Sequence, residues 1–324
     1  MLPYREGRGG EPIRQQTLAD DVTFSGIGLH TGARVKCRAF PAPADHGIVF
    51  LSGTSRIPAR LESVVESTRC SALGDGQTQI ATVEHLLAAL TGLKIDNALI
   101  EVSGPELPAL DGSALPFAEG LLTAGTREQD APARVLTPRA PIWISEGDRH
   151  VVAIPADSLT VAAFVDYGRP LAGPQAFNFS FDAAPKPAAV VFADAGATVG
   201  PRWNLALPEI SEPASALTAS GTPLPFIEQL APARTFCFED WIAAIRAAGL
   251  GGGGSIENTL VLSDRGTSTP LRFTDELARH KTLDLLGDLT LIGARLNATV
   301  VAVKAGHALH LEAAHKLRGA CDGH

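Results

Sequence analysis

The residues best suited to chemistry lie in Arg279-His280-Lys281-Thr282-Leu283-Asp284-Leu285-Leu286-Gly287-Asp288. If this stretch is helical, His280 and Asp284 share one face. Asp288, four residues further on, drifts only about 40° round the axis. An imidazole and a carboxylate stacked in this way can fill two corners of a divalent cation. Two histidines and one carboxylate would leave a fourth position open, as in catalytic zinc sites. A second histidine stands beside an acid in Thr82-Val83-Glu84-His85-Leu86-Leu87-Ala88-Ala89-Leu90, at the start of another expected helix. Alone, each feature has a plainer account. His and Asp one turn apart describe an exposed ion pair, and His85 describes a histidine satisfying a helix start.

The elements that must carry these groups can be traced along the chain. Thr274 is an expected N-cap, with Asp275 and Glu276 in the first turn where the helix dipole favours acids. Residues 16–50 read as strands and turns, with alternation from Arg34 to Phe40. Between them, Ser25-Gly26-Ile27-Gly28-Leu29-His30-Thr31-Gly32 is either a tight turn needing positive φ or a loop facing a ligand. Its G-x-G-x-x-x-G spacing is not a dinucleotide fingerprint. Val83–Leu93 is an expected helix, Ile95–Val102 a strand, and Pro116–Ala124 a helix that Asp111 could cap. Residues 1–13 read as a flexible tail, 14–130 as a first domain, and 131–141, with three prolines, as the linker. Residues 142–324 form the second domain, interrupted by an inserted segment at 183–225. Phe238, Trp241, Ile242 and Ile245 fall at helical spacing, predicting a helix over about 238–249. Strands followed by helices, without a βαβα rhythm, indicate an α+β architecture of two sandwiches with antiparallel-rich sheets.

Composition narrows the function classes. The chain has 324 residues, 45% of them hydrophobic, and carries a net charge of -8 from 27 basic and 35 acidic residues. That balance argues against nucleic acid as a partner and gives no electrostatic help on an anionic membrane. No apolar run approaches the roughly 18 residues of a spanning helix. The opening MLPYREGRGGEPIRQQ lacks an apolar core, so no secretory signal is expected. Cys37, Cys70, Cys237 and Cys321 are scattered, which suits reduced thiols in a cytoplasmic protein.

Several strings, taken together, resemble the zinc-dependent UDP-3-O-acyl-N-acetylglucosamine deacetylases, which catalyse the committed step of lipid A synthesis. They are GIGLHTG at 26–32, PAPADHGIVF at 41–50, TVEHLLAAL at 82–90, GLKIDN at 92–97 and PELPALDGSALPF at 105–117. In the second half they are ARTF at 233–236, LRFTDELARHKTLDLLGDL at 271–289 and KAGHAL at 304–309. The resemblance implies two domains, each a helix pair on a sheet, with the active site between them. It implies that His85, His280 and Asp284 hold one Zn²⁺, a set Fe²⁺ would also suit. Glu84 then matches the general base, His307 the general acid and Asp288 the carboxylate orienting His307. Thr235 matches the hydroxyl that bonds the oxyanion, and Lys281 an active-site cation. The substrate implied is a UDP-sugar bearing an acyl chain. Lys304 matches a lysine near the nucleotide, while Phe236, Phe238, Trp241 and Ile242 fall where the family lines an acyl passage; core packing explains that stripe equally well. His30 lies in a loop approaching the site.

The chain departs from the family pattern at Cys237, where glycine is usual, at His310, where asparagine is usual, and in the 183–225 segment. Two other functions therefore stay open: deacetylation of another nucleotide sugar, and a non-catalytic, metal-stabilised binding protein. A monomer with no stable membrane anchor is expected, any contact with the bilayer being peripheral.

Overall fold

A computed structural model describes residues 12–181 and 224–322. The expected tail, apart from residues 12 and 13, and the expected insertion, apart from residues 224 and 225, lie outside the described residues. Six helices are described: α1 (Glu84–Gly92), α2 (Leu115–Ala124), α3 (Leu224–Gln229), α4 (Ile242–Ala247), α5 (Glu276–Thr290) and α6 (His307–Asp322).

Two five-stranded sheets carry these helices, and both are wound in the same way. In the first, the strands run in the order 22–27, 34–41, 98–102, 48–52, 55–58. In the second the order is 142–146, 149–155, 298–303, 160–165, 175–180. Each time the last strand of the set enters the middle of the sheet, antiparallel to one neighbour and parallel to the other. It is also flanked in sequence by a helix on either side, α1 and α2 in the first half, α5 and α6 in the second. The fold is therefore α+β, two sandwiches with mostly antiparallel sheets. Strands alternate as a half-covered sheet requires: Val35, Cys37 and Ala39 point inward from one, Ala298, Val300 and Ala302 from another.

The two halves join through α1 and α5. Helix α1 (EHLLAALTG) is apolar nearly all round and buried nearly throughout, which fits a helix packed on several sides. Gly287 of α5 permits the contact: a Cβ there would stand 2.2 Å from the carbonyl oxygen of Glu84. Only glycine lets the start of α1 come this close to the middle of α5.

Several local expectations differ from the structure. Residues 131 and 132, read as the start of the linker, instead close a strand over 126–132 that pairs antiparallel with 14–18. The side chains of this strand are mostly exposed, so no alternation marks it, and the partner lies more than a hundred residues away. Helix α5 begins at Glu276 and neither Thr274 nor Asp275 caps it through a side chain. Asp275 pairs instead with Arg279 at 2.6 Å. Asp111 does not cap α2: it accepts from the Ser113 amide and hydroxyl and pairs with Arg272 at 2.8 Å. The expected helix over 238–249 is divided. Phe236–Phe238 is a strand paired in parallel with 260–262, Glu239–Trp241 a single 3₁₀ turn, and only 242–247 is α-helical. Tertiary pairing there overrides a helical period. No element is expected from the sequence over 307–322, where α6 lies; its buried face mixes His307 and His310 with Leu309, Leu311, Ala313, Ala314 and Leu317, so polar residues interrupt the apolar stripe.

Candidate metal centre

Three ionisable residues on one stripe of α5, namely His280, Asp284 and Asp288, are all buried at 3% exposure or less. Burying such groups is costly unless each is partnered, so each partner says something about purpose. Nδ1 of His280 donates to the Ala233 carbonyl at 3.1 Å, which leaves Nε2 as a bare lone pair facing Asp284 at 3.4 Å. Nε2 of His85, from the first turn of α1, lies 3.8 Å from the same Asp284 oxygen. The two imidazole centroids are 5.1 Å apart and nearly perpendicular.

That shared oxygen, Asp284 Oδ1, is buried and has no hydrogen-bond partner among the described residues. A carboxylate oxygen held so among two imidazole lone pairs is a donor set that fits a divalent cation. The geometry agrees, because ligand atoms about 2.1 Å from a tetrahedral ion sit about 3.4 Å from one another. The donor atoms of His85, His280 and Asp284 all lie within 4.8 Å of one another. Their ionisation states suit ligation. Burial pushes His85 down to about 3, helped by its neighbour His280. Burial would raise Asp284, but His280, Lys281, His307 and His85 hold it well below the carboxylate range. Lys281 Nζ pairs with the second oxygen, Oδ2, at 2.8 Å. Burial opposes that ammonium, yet Asp284 and Tyr167 keep it firmly charged.

Around this trio stand the other expected groups. Glu84 is 3% exposed and accepts the Ser71 amide at 3.1 Å. Burial raises its carboxyl to about 7, with the Asp284 and Asp288 charges adding to the effect and His307 opposing it. On α6, His307 Nδ1 donates to Asp288 Oδ2 at 2.8 Å, turning Nε2 toward Asp284 Oδ2, 3.8 Å away. Burial disfavours its charge, but Asp288 outweighs that and raises His307 to about 9. Asp288, lowered to about 2 against burial by the same pairing, accepts from three donors. Besides His307 these are His310 Nδ1 on Oδ2 at 2.8 Å and Ser71 Oγ on Oδ1 at 2.5 Å. His310, one of the two single-residue departures, is thus part of this cluster; burial lowers its pKa, so one imidazolium and one neutral imidazole share Oδ2.

Thr235 is placed by its backbone, its amide donating to Gly112 O at 2.7 Å and its carbonyl accepting from Leu260 at 2.9 Å. Arg234, just before it, forms a buried ion pair with Glu276 at 2.8 Å. Rings lead outward from His280 in sequence: Phe236 at 6.0 Å, then Tyr167 at 5.6 Å, Phe238 at 5.2 Å and Trp241 at 4.7 Å. Trp241 ends the series 37% exposed, with Ile242 half-buried beside it. Cys237, the other departure, directs its thiol to the Phe238 carbonyl at 3.3 Å. Lys304 is not gathered into the cluster; it reaches Asp148 at 3.0 Å. His30 is tied through its amide to Glu106, and its Nδ1 has no partner among the described residues.

Sequence reasoning missed Ser71, Glu106 and Tyr167. The Glu106 carboxylate, fully buried, accepts from the His30 and Thr31 amides and from the Thr31 and Thr82 hydroxyls. It anchors Thr82, a β-branched residue at φ 58 just before Glu84 and His85. Gly28 is required there for closeness rather than φ, since a Cβ would stand 2.4 Å from Glu106 Oε2. None of these carries a spacing signal, because each acts across long sequence separations.

A family model for UDP-3-O-acyl N-acetylglycosamine deacetylase matches residues 15–195 and 202–319. Among curated proteins, a UDP-3-O-acyl-N-acetylglucosamine deacetylase of Anaeromyxobacter sp. (strain Fw109-5) is 37% identical over 300 residues, 91% of this chain and 86% of that protein. One of Myxococcus xanthus is 36% identical over 309 residues, 94% and 84% respectively. One of Thermosynechococcus vestitus is 38% identical over 308 residues, 94% and 93%.

Proposed function

The chain belongs to the UDP-3-O-acyl N-acetylglycosamine deacetylase family, and from that premise we infer that it removes the N-acetyl group of UDP-3-O-acyl-N-acetylglucosamine. Acetate and the free amine are the products, and the step belongs to lipid A biosynthesis. The observation that supports this most directly is the orphaned Asp284 Oδ1 between two imidazole nitrogens, with a buried carboxyl and a buried imidazolium beside it. This is a metalloenzyme, and His85, His280 and Asp284 are the residues proposed to hold its ion. Zn²⁺ fits their nitrogen and oxygen donors, and Fe²⁺ would accept the same set. When bound, such an ion polarises an amide carbonyl and acidifies water.

The remaining roles fall to the chain itself. Glu84, titrating near neutrality, takes the proton from the attacking water. An amine leaves poorly unless protonated, and His307 supplies that proton from Nε2 while Asp288 holds Nδ1. Thr235 donates its hydroxyl to the carbonyl oxygen as it gains negative charge. Lys281 offsets the charge of Asp284 and keeps the carboxylate from turning. The aromatic series from Phe236 to Trp241, with Ile242, would accept the acyl chain, and Lys304 and His30 the polar remainder of the substrate.

Among the described residues no helix is long and apolar enough to cross a membrane. A cytoplasmic, monomeric protein with at most peripheral bilayer contact remains our reading of its location. An acetate-release assay tests the function. Turnover should vanish with a chelator, return with Zn²⁺, and strongly favour the 3-O-acylated UDP-sugar over the unacylated one. Equal turnover of the two sugars would sink the substrate assignment, and chelator-insensitive turnover would sink the metal.

A further inference from the structure

We propose that Ser71 is a positioning residue that holds the base and the acid of this reaction in one fixed relation. The proposal rests on the roles given above to Glu84 and to the Asp288–His307 pair. Ser71 is fully buried, and every polar atom it owns is committed. Its amide donates to Glu84 Oε2 at 3.1 Å, and its hydroxyl donates to Asp288 Oδ1 at 2.5 Å. Its carbonyl accepts from the amide of Val83 at 3.2 Å, the residue just before Glu84. Ser71 precedes the short strand 72–74, which is paired on both sides, so a small sheet fixes its backbone.

The consequence for proton transfer is geometric. Glu84 comes from α1 and Asp288 from α5, so nothing in the covalent chain fixes one carboxyl relative to the other. Ser71 touches both. A carboxylate rotates readily about its last bond unless both oxygens are engaged. By occupying Oδ1 of Asp288, the hydroxyl leaves Oδ2 directed at His307 and His310, and so sets where His307 Nε2 points. The amide does the same for Glu84, leaving Oε1 to meet the water. A serine suits the place because one residue supplies a backbone and a side-chain donor little more than a peptide unit apart.

The hydroxyl can be tested separately from the amide. S71A deletes one oxygen and keeps the amide. Losing a buried hydrogen bond to a carboxylate should lower kcat roughly ten-fold or more. KM and bound metal should stay at the wild-type values, because neither the substrate nor the three ligands touch this oxygen. In a D288N background, S71A should cost far less, since the carboxylate it orients is gone. S71C, with a weaker donor, should fall between S71A and wild type, and it serves equally if S71A folds poorly. Wild-type kcat in S71A or S71C, or an undiminished S71A effect in D288N, would overturn the assignment to Ser71. So would parallel losses of kcat and bound metal, which mark a packing role. E84Q and H307A, measured beside them, separate the two layers: if both turn over normally the underlying mechanism fails, whereas if both are crippled while S71A is normal only the role of Ser71 fails.

Discussion

Gly287→Ala is the substitution with the clearest physical consequence. A methyl group on α5 at this position would stand 2.2 Å from the carbonyl oxygen of Glu84. Carbon and a carbonyl oxygen approach to about 3.3 Å at closest. The helices must therefore part by about 1 Å, and backbone on both sides leaves no flexible group to yield. Two effects oppose one another in stability. Alanine is favoured over glycine inside a helix by about 1 kcal/mol, while overpacking a filled core costs about 1–3 kcal/mol. The fold should thus survive with a modest net loss. The ion site should not, because His85 belongs to α1 whereas His280 and Asp284 belong to α5. The 3.8 Å and 3.4 Å spacings to Asp284 Oδ1 then change unequally. Misplacement by about 1 Å can cost on the order of 100-fold in rate. Competition with a chromophoric chelator should show at least a ten-fold weaker metal affinity, and acetate release should fall further. Wild-type metal affinity in a folded Gly287→Ala protein would refute the idea that glycine sets the spacing of the two ligand-bearing helices.

Other outcomes follow from the same site. Glu84→Ala should lower kcat by about 10²–10⁴ with little change in KM, because proton removal from water belongs to the transition state; steady-state acetate release measures it, and unchanged turnover removes the base assignment. In chelated protein, the His307 imidazolium, raised to about 9 from an ordinary value of about 6.5, stabilises the fold fully below pH 6.5. That contribution is lost as pH rises through 9, and is on the order of 3 kcal/mol, held jointly with Asp288. Glu84, raised to about 7, acts in the same direction but lower, between about 4.5 and 7. Denaturant melts should therefore weaken between pH 7 and 9 in the parent and much less in His307→Gln, an equal slope in both counting against the pairing. Glu276→Gln leaves Arg234 buried with a neutral partner and should cost about 3–5 kcal/mol in urea unfolding, a loss under 1 kcal/mol showing the pair to be solvated.

Beyond the metal set, the two halves have matching roles that strand order makes visible. Helix α1 and helix α5 occupy the same position in their respective units, each preceding the central strand. The proposed cation ligands lie on these two equivalent helices, at the place where the halves meet. A site built in this way depends on how the units pack, which explains why a small residue at 287 and a buried clamp at Arg234–Glu276 both bear on it. Arg234 lies between Ala233, whose carbonyl holds His280, and Thr235. Its ion pair ties both neighbours to the first turn of α5.

What the chain specified locally was legible in its letters. The helix spacing of His280, Asp284 and Asp288, the Glu84–His85 pair, the alternating strands and the α+β order all express short-range periodicity. The absence of any basic stripe is legible as well, since charge is additive along a sequence. The packing of the halves decided the rest. It brought His85 to within 3.8 Å of an aspartate some two hundred residues away, and set Ser71 between the carboxyls of Glu84 and Asp288. It also turned the Phe238 segment from helix to strand and recruited the polar 126–132 run as a partner for 14–18. Hydrogen bonds and close contacts at such separations carry no period, because they depend on which surfaces meet in space rather than on how far apart the residues stand in the chain.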